Sequence, residues 1–352
     1  MKSLVGEPVI RVGGDQYFWE DAVICGALRG DWDALERETA AGQACLRRAR
    51  LGHAIPEAEV DAAAAEFRYA RDLVAAQDAV AWLQRWGLER AEWMDCMRRA
   101  VARRLWAADL PRIAAAHAAP AAEVHAAMMP SALCDGRLKK MAEALARRAA
   151  VRDWLREQGD DAIDGAATGG LPAAARDLPA RGVTGLDAER LAERGAVVTA
   201  LEAAFRLFRE RVVTPQAIDA RVTQRRLDWI RFRSRVALFA SDAMAREAAL
   251  CVREDRLDLN EVAADAHVAV EENAGFLDQV PKTLRDAMLA AGVGELVGPV
   301  PLDGRFGLIW IDEKRVPVAD DAEVRRRAEG EVIERAVRRV AQERTRWQVT
   351  HM

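Results

Sequence analysis

The sequence predicts an α+β protein with a mostly helical N-terminal module, a small mixed β-sheet domain and a C-terminal helix packing back on the N-terminal module. Three observations carry that prediction. Most of the 352 residues repeat apolar positions on a helical period, between glycines suited to left-handed helix stops. From about residue 227 to 317 the period changes, with short alternating stretches set between helical pieces. The chain then closes on a charged segment bearing one apolar stripe.

The first element is "EPVIRVGGDQYFW", which alternates around Gly13 and Gly14 and reads as a strand and turn or a hairpin. Helices follow. "FWEDAVICGALRG" stops at Gly30, "DWDALERETAAGQACLRRARLG" at Gly52, and "PEAEVDAAAAEFRYARDLVAAQDAVAWLQRWG" is expected to run as one helix to Gly87. Next comes "ERAEWMDCMRRAVARRLWAADL". Trp82, Trp86 and Trp93 recur at intervals suited to one buried seam. Helical pattern continues through "PAAEVHAAMM" and "GRLKKMAEALARRAAVRDWLREQG". Residues 159–185 then lose that period and gain Gly, Pro and Asp, which marks an expected flexible loop. A further helix precedes Pro215, which opens another.

In "LDWIRFRSRVALF", Ile230, Phe232, Ser234 and Val236 fall on one face of a strand and Trp229, Arg231, Arg233 and Arg235 on the other. The arginine face is expected to be solvated sheet exterior, with contact to an acidic peptide as the alternative. Two helical pieces, a strand at "HVAVEEN", a short helix "KTLRDAMLAA" and the strand pair "LVGPV" and "GLIWIDEK" complete a β-α-α-β-α-β-β unit. Leu308 and Trp310 point one way, Ile309 and Ile311 the other. In the last helix Val324, Ala328, Val332, Ala336, Val340 and Trp347 form the stripe. The expected domains are therefore residues 1–226, 227–317 and 318–352, the last completing the first.

Composition narrows the function. An apolar fraction of 51% with ten tryptophans supports a real core. A net charge of −4, from 52 basic and 56 acidic residues spread along the chain, provides no bulk field for nucleic acid or an anionic membrane. Five widely spaced cysteines without a CxxC read as free thiols in a reducing compartment. The first residues lack the apolar stretch of about 7–15 residues found in a secretory signal. A cytoplasmic location is expected. No GxSxG, HExxH or GxxxxGK[ST] is present, so hydrolase and nucleotide chemistry lack support. His117, Glu123 and His125 are too far apart on a helix, and interrupted by Pro120, to hold a metal. Neither a cofactor nor a metal is expected.

The ordered run "AGFLDQVPKTLRDAMLAAGVGELVGPVPLDGRFGLIWIDEKRVP" resembles the parvulin family of peptidyl-prolyl isomerases in the SurA-type arrangement. Its "GELVGPV" and "RFGLIWI" pieces carry the similarity. "PVIRVGGDQYFWEDA" and "WLQRWGLERAEWMDCMRRAVARRLW" resemble the opening strand and a helix pair of SurA-type chaperones. The resemblance implies an apolar groove for an X-Pro segment, whose bond rotates over a barrier of about 18–20 kcal/mol. It also implies two facing histidines, on the first and last strands. Here Trp229 or Ile230 and Ile309 stand at those places. Val280 and Leu284 match the family's Met and Phe, with Phe276 and Phe306 beside them.

The resulting candidates for peptide binding are Phe276, Val280, Leu284, Phe306, Ile309 and Trp229. The candidate substitute catalytic pair is His267 with Asp265. The leading expectation is a chaperone-like protein that holds a peptide or unfolded polypeptide client, such as a precursor awaiting a peptide-modifying enzyme, in a parvulin-like domain without its catalytic pair. An active isomerase using His267, Asp265 or Cys251 is the alternative. A scaffold that forms a homodimer through the last helix is the third. No nucleic-acid or membrane partner is expected.

Overall fold

A computed structural model describes residues 3–159 and 173–349. By its internal contacts the chain divides into two units, residues 1–210 with 336–352, and residues 211–335. The sequence alone had suggested divisions at 226/227 and 317/318.

The first unit opens on the hairpin β1 (Pro8–Val12) and β2 (Asp15–Phe18), with Gly13 in the left-handed region at φ +57. A Cβ there would also crowd the Asp153 carboxylate, so glycine suits this turn. Helices α1 (Trp19–Leu28) and α2 (Asp31–Arg50) follow, separated by Gly30 as the sequence indicates. The stretch ending at Gly87 is two helices, α3 (Glu57–Tyr69) and α4 (Ala76–Trp86), where one was expected. Two local bonds break it. Leu73 N–H donates back to Arg68 O at 2.8 Å, and the Asp78 carboxylate accepts from Ala75 N–H at 2.9 Å, starting a new helix. Helices α5 (Arg90–Leu105), α6 (Leu110–Ala116), α7 (Ala121–Cys134) and α8 (Arg137–Glu157) continue the unit.

The tryptophan seam is real. Phe67 meets Trp82 and Trp93 edge-on at 5.2 and 5.6 Å, and Trp19 meets Trp86 at 5.6 Å. Of the expected loop, residues 160–172 lie outside the described residues. The remainder is packed rather than loose, with a short helix α9 (Ala173–Arg176), buried Leu178 and Val183, and Arg181 bound to Asp33 at 2.7 Å. Helix α10 (Ala188–Val212) carries Arg194, whose guanidinium forks onto the buried Asp21 carboxylate at 2.7 and 2.5 Å. Burial raises the pKa of Asp21 despite that partner.

The second unit begins with α11 (Pro215–Gln224), capped by Thr214, and continues with β3 (Arg231–Phe239), α12 (Asp242–Arg253), α13 (Leu259–Asp265), β4 (Val270–Phe276), α14 (Lys282–Ala290), β5 (Leu296–Leu302) and β6 (Arg305–Arg315). This is the β-α-α-β-α-β-β order read from the sequence. The sheet order is β4-β3-β6-β5, and every pairing is antiparallel, whereas a mixed sheet was expected. No neighbouring strands are parallel, so none needs a crossover connection between them.

The alternation read from the sequence sorts the sheet's two faces. Ala237, Phe239 and Leu308 pack with α12 and α13; Phe232, Ile309 and Ile311 pack with α14. Gly298 sits at φ +116 where the β5–β6 register shifts, and a Cβ would meet Gly307 O at 2.5 Å. That close approach explains the glycine in "GELVGPV". The Asp303-Gly304 pair turns β5 into β6 with both residues at positive φ.

Helix α15 (Ala322–Arg344) buries Val324 and Ala328 in a cluster with Trp229, Ile218 and Val222. Further along, Val337 and Val340 are buried while Val332 and Ala336 are only half-buried. Trp347 is not on the helix. It belongs to β7 (Thr345–Trp347), which pairs with β1 in the first unit, and its side chain stays 42% exposed.

Candidate functional site

The alternation in β3 determines what lies on the open face of the second unit. Phe232, Ser234, Val236 and Leu238 project to the same side, joined by Ile309 of β6, and form the floor of a cleft of about 390 Å³. One wall is Leu284 and Met288, four residues apart on α14, with Val280 and Pro281 before them. The other is β4, whose Glu271, Asn273 and Gly275 stand opposite Val236, Ser234 and Phe232. Leu302 and Asp303, from the β5–β6 turn, complete the rim.

Polar groups are few and placed. Ser234 is buried in the apolar floor, directly opposite Asn273. Gln279 accepts from Phe276 N–H at 2.9 Å, and a Cβ on Gly275 would lie 2.9 Å from the same oxygen. The glycine therefore lets Gln279 lie against the strand. Glu271 and Asp303 are the charged side chains of the lining, which contains no Arg, Lys or His. Nearby cations are engaged elsewhere. Arg285 donates to Val280 O at 2.8 Å and Asp278 O at 2.5 Å, and Lys314 donates to Ala291 O at 3.1 Å and also to Leu289 O. Beyond its pairing with β3, β4 has no strand on its outer side among the described residues.

Four of the sequence candidates line this cleft: Phe276, Val280, Leu284 and Ile309. Two do not. Phe306 shares the parity of Leu308 and Trp310, so it packs on the α12–α13 face. Trp229 precedes the strand and is sunk in the α11–α15 cluster, with the Arg327 guanidinium 5.4 Å from its ring. His267 and Asp265 are exposed at the end of α13, His267 at φ +54, and neither borders the cleft. Cys251 packs against the α12–α13 cluster.

Ser234, Asn273, Glu271 and Met288 were not singled out from the sequence. A usable signal existed: Ser234 is the one polar residue in the apolar alternation of β3, and Met288 lies one helical turn beyond Leu284. The arginine face is not bare exterior. Arg235 binds Asp258 at 3.0 Å and Asp312 at 3.1 Å, and Arg231 binds Glu323 at 3.4 Å. In the helical unit, Glu123 pairs with Arg47 at 3.3 Å and His125 with Glu36 at 3.0 Å.

No protein-family model matches the sequence, nor does any curated protein. Among solved structures the chain is similar to PrsA from Bacillus subtilis, at 15% identity and a TM-score of 0.20, over 60% of this chain and 86% of that one. It is also similar, at 10% identity and a TM-score of 0.20, to a structure from work on the Campylobacter jejuni virulence factor PEB4 and periplasmic protein Cj1289, described as SurA-like chaperones. That match covers 60% of this chain and 89% of the other.

Proposed function

We propose that the unit of residues 211–335 holds an extended, positively charged polypeptide segment, with an apolar side chain seated in the cleft, and does not catalyse its isomerisation. The carrying observation is the cleft itself: an apolar floor beside an edge strand, with two carboxylates at its margin and no imidazole, thiol or amine in its lining. An extended peptide can add to the free edge of β4 while alternate side chains reach the floor. Seating one Leu-sized side chain is worth about 1.5–3 kcal/mol, which alone corresponds to very weak binding. Affinity therefore rests on that anchor, the strand pairing and the charge together.

The reading of a holder is supported by the absence of a histidine from the lining, whose polar groups are Ser234, Asn273, Gln279, Glu271 and Asp303. An apolar residue such as Ile309 neither donates nor accepts a hydrogen bond, and the candidate pair His267 and Asp265 lies elsewhere. In this reading the protein is a chaperone-like holder of a client, such as a ribosomally made precursor presented to a peptide-modifying enzyme in the cytoplasm. Val324, Ala328, Val337 and Val340 of α15 are covered within the chain, while Val332 and Ala336 are half-buried, so the homodimeric scaffold stays the alternative reading.

The test is an anisotropy titration with two labelled peptides, one alternating Leu with Lys and one alternating Leu with Glu. The Lys peptide is expected to bind and the Glu peptide to bind at least tenfold more weakly. Val280→Arg, on the cleft wall, is expected to reduce binding of the Lys peptide at least tenfold while lowering the melting temperature by only a few degrees. Failure of both peptides to bind overturns the proposal. Acceleration in a protease-coupled proline assay, lost in His267→Ala, replaces it with the isomerase.

A further inference from the structure

Helices α5 and α7 bring two of the five free cysteines together inside the first unit. Cys96 and Cys134 are buried on neighbouring helices. Arg99, one helical turn beyond Cys96, donates to its Sγ at 3.0 Å and to Ser131 Oγ at 3.1 Å. Both thiols line a cavity of about 70 Å³. A single water needs roughly 10–15 Å³, so the space admits a molecule the size of hydrogen peroxide. The buried Thr39 Oγ1 in the same lining has no hydrogen-bond partner, leaving a polar group for such a guest.

We propose that Cys96 and Cys134 form a site of oxidative modification, where hydrogen peroxide converts the dithiol into a disulfide joining α5 to α7. The arrangement divides the work. Arg99 places its guanidinium on the Cys96 sulfur, which favours the thiolate there. Cys96 is thus the attacking sulfur. Its thiolate takes one peroxide oxygen, the O–O bond breaks, and a sulfenic acid and hydroxide form. Cys134 then attacks the sulfenic sulfur, the S–O bond breaks, and water leaves. In sum two thiols lose two electrons to one peroxide, giving one disulfide and two waters. The Arg99 cation at the sulfur favours an anionic thiolate and opposes a bound metal cation.

The experiment treats the full chain with hydrogen peroxide, quenches it, alkylates in denaturant and measures intact mass. Untreated protein takes up five alkyl groups, one per free cysteine. Treated protein is expected to take up three, two thiols having been consumed, and its peptide map to contain a 96–134 link. Cys134→Ser is expected to stop at the sulfenic acid, trapped on Cys96 by dimedone. Five alkyl groups after a treatment that oxidises glutathione in the same tube overturns the proposal, as does a link between any other pair. The wild-type map decides the matter even if the variant fails to fold.

Discussion

The two faces of the four-stranded sheet are made by the same strands and finished differently. On one, Leu308, Ala237 and Phe239 are covered by two helices whose contact residues are mostly alanine: Ala245, Ala248, Ala249 and Ala263. Small side chains let α12 and α13 lie close over these three residues, and the space on this side lies at its margin, beside Val252, Leu296 and Trp310. On the other face a single helix, α14, covers Ile309 and Ile311 and leaves the stretch from Phe232 to Leu238 bordering an open cleft. Alternation supplies both faces with apolar side chains. The number of helices returned over each face decides which becomes core and which becomes a binding surface.

The sharpest test of that contrast is truncation on each side. Leu308→Ala on the closed face is expected to destabilise the unit by about 2–5 kcal/mol, because a fully buried leucine leaves a cavity there. Val280→Ala at the open cleft is expected to cost less than about 1 kcal/mol, since the half-buried side chain borders solvent already. Urea unfolding followed by tryptophan emission measures both. Equal losses would erase the distinction between the faces.

A smaller effect tests how the closed face is anchored. Asp258 caps α13 through Asn260 N–H at 2.8 Å and binds Arg235 at 3.0 Å. The backbone bond from Asn260, with Arg235 beside it, holds its pKa below the usual carboxylate value. A depressed pKa contributes stability that is complete above the unfolded value of about 3.9 and is lost as pH falls through the folded one. Asp258→Ala is therefore expected to cost about 1 kcal/mol at pH 7. The gap to the unmodified protein should close below about pH 4. A gap that persists in acid would show that the carboxylate charge is not its source.

The smallest effect concerns the open face alone. Glu271→Gln and Asp303→Asn are each expected to weaken the Lys peptide about threefold at low salt and hardly at all at high salt, as befits exposed charge pairs. Isothermal titration at two ionic strengths measures this. Salt-independent losses would mean that these side chains shape the cleft rather than charge it.

Particular elements show where the sequence is legible. The parity of Leu308 and Trp310 against Ile309 and Ile311 holds in space because a strand cannot turn one residue without turning the next. The same parity, applied to Phe306, would have excluded it from the cleft. The tryptophan seam, the glycine stops and the order of the second unit were readable for similar reasons, since each follows from local backbone geometry. The break between α3 and α4 was less so. It depends on one carboxylate, Asp78, meeting one N–H, where the apolar period hardly changes.

What the sequence by itself determined is therefore periodic: which residues share a face, where helices stop, and that five cysteines stand far apart along the chain. What only the tertiary structure decided is proximity across the chain. That Cys96 and Cys134 line one cavity, that β7 returns to β1, that Trp229 sinks among helices and that the cleft has carboxylates without a cation all depend on which faces meet. Period constrains direction along one element. Neighbours from elsewhere in the chain are chosen by packing, through burial summed over many residues, and no short stretch carries that choice.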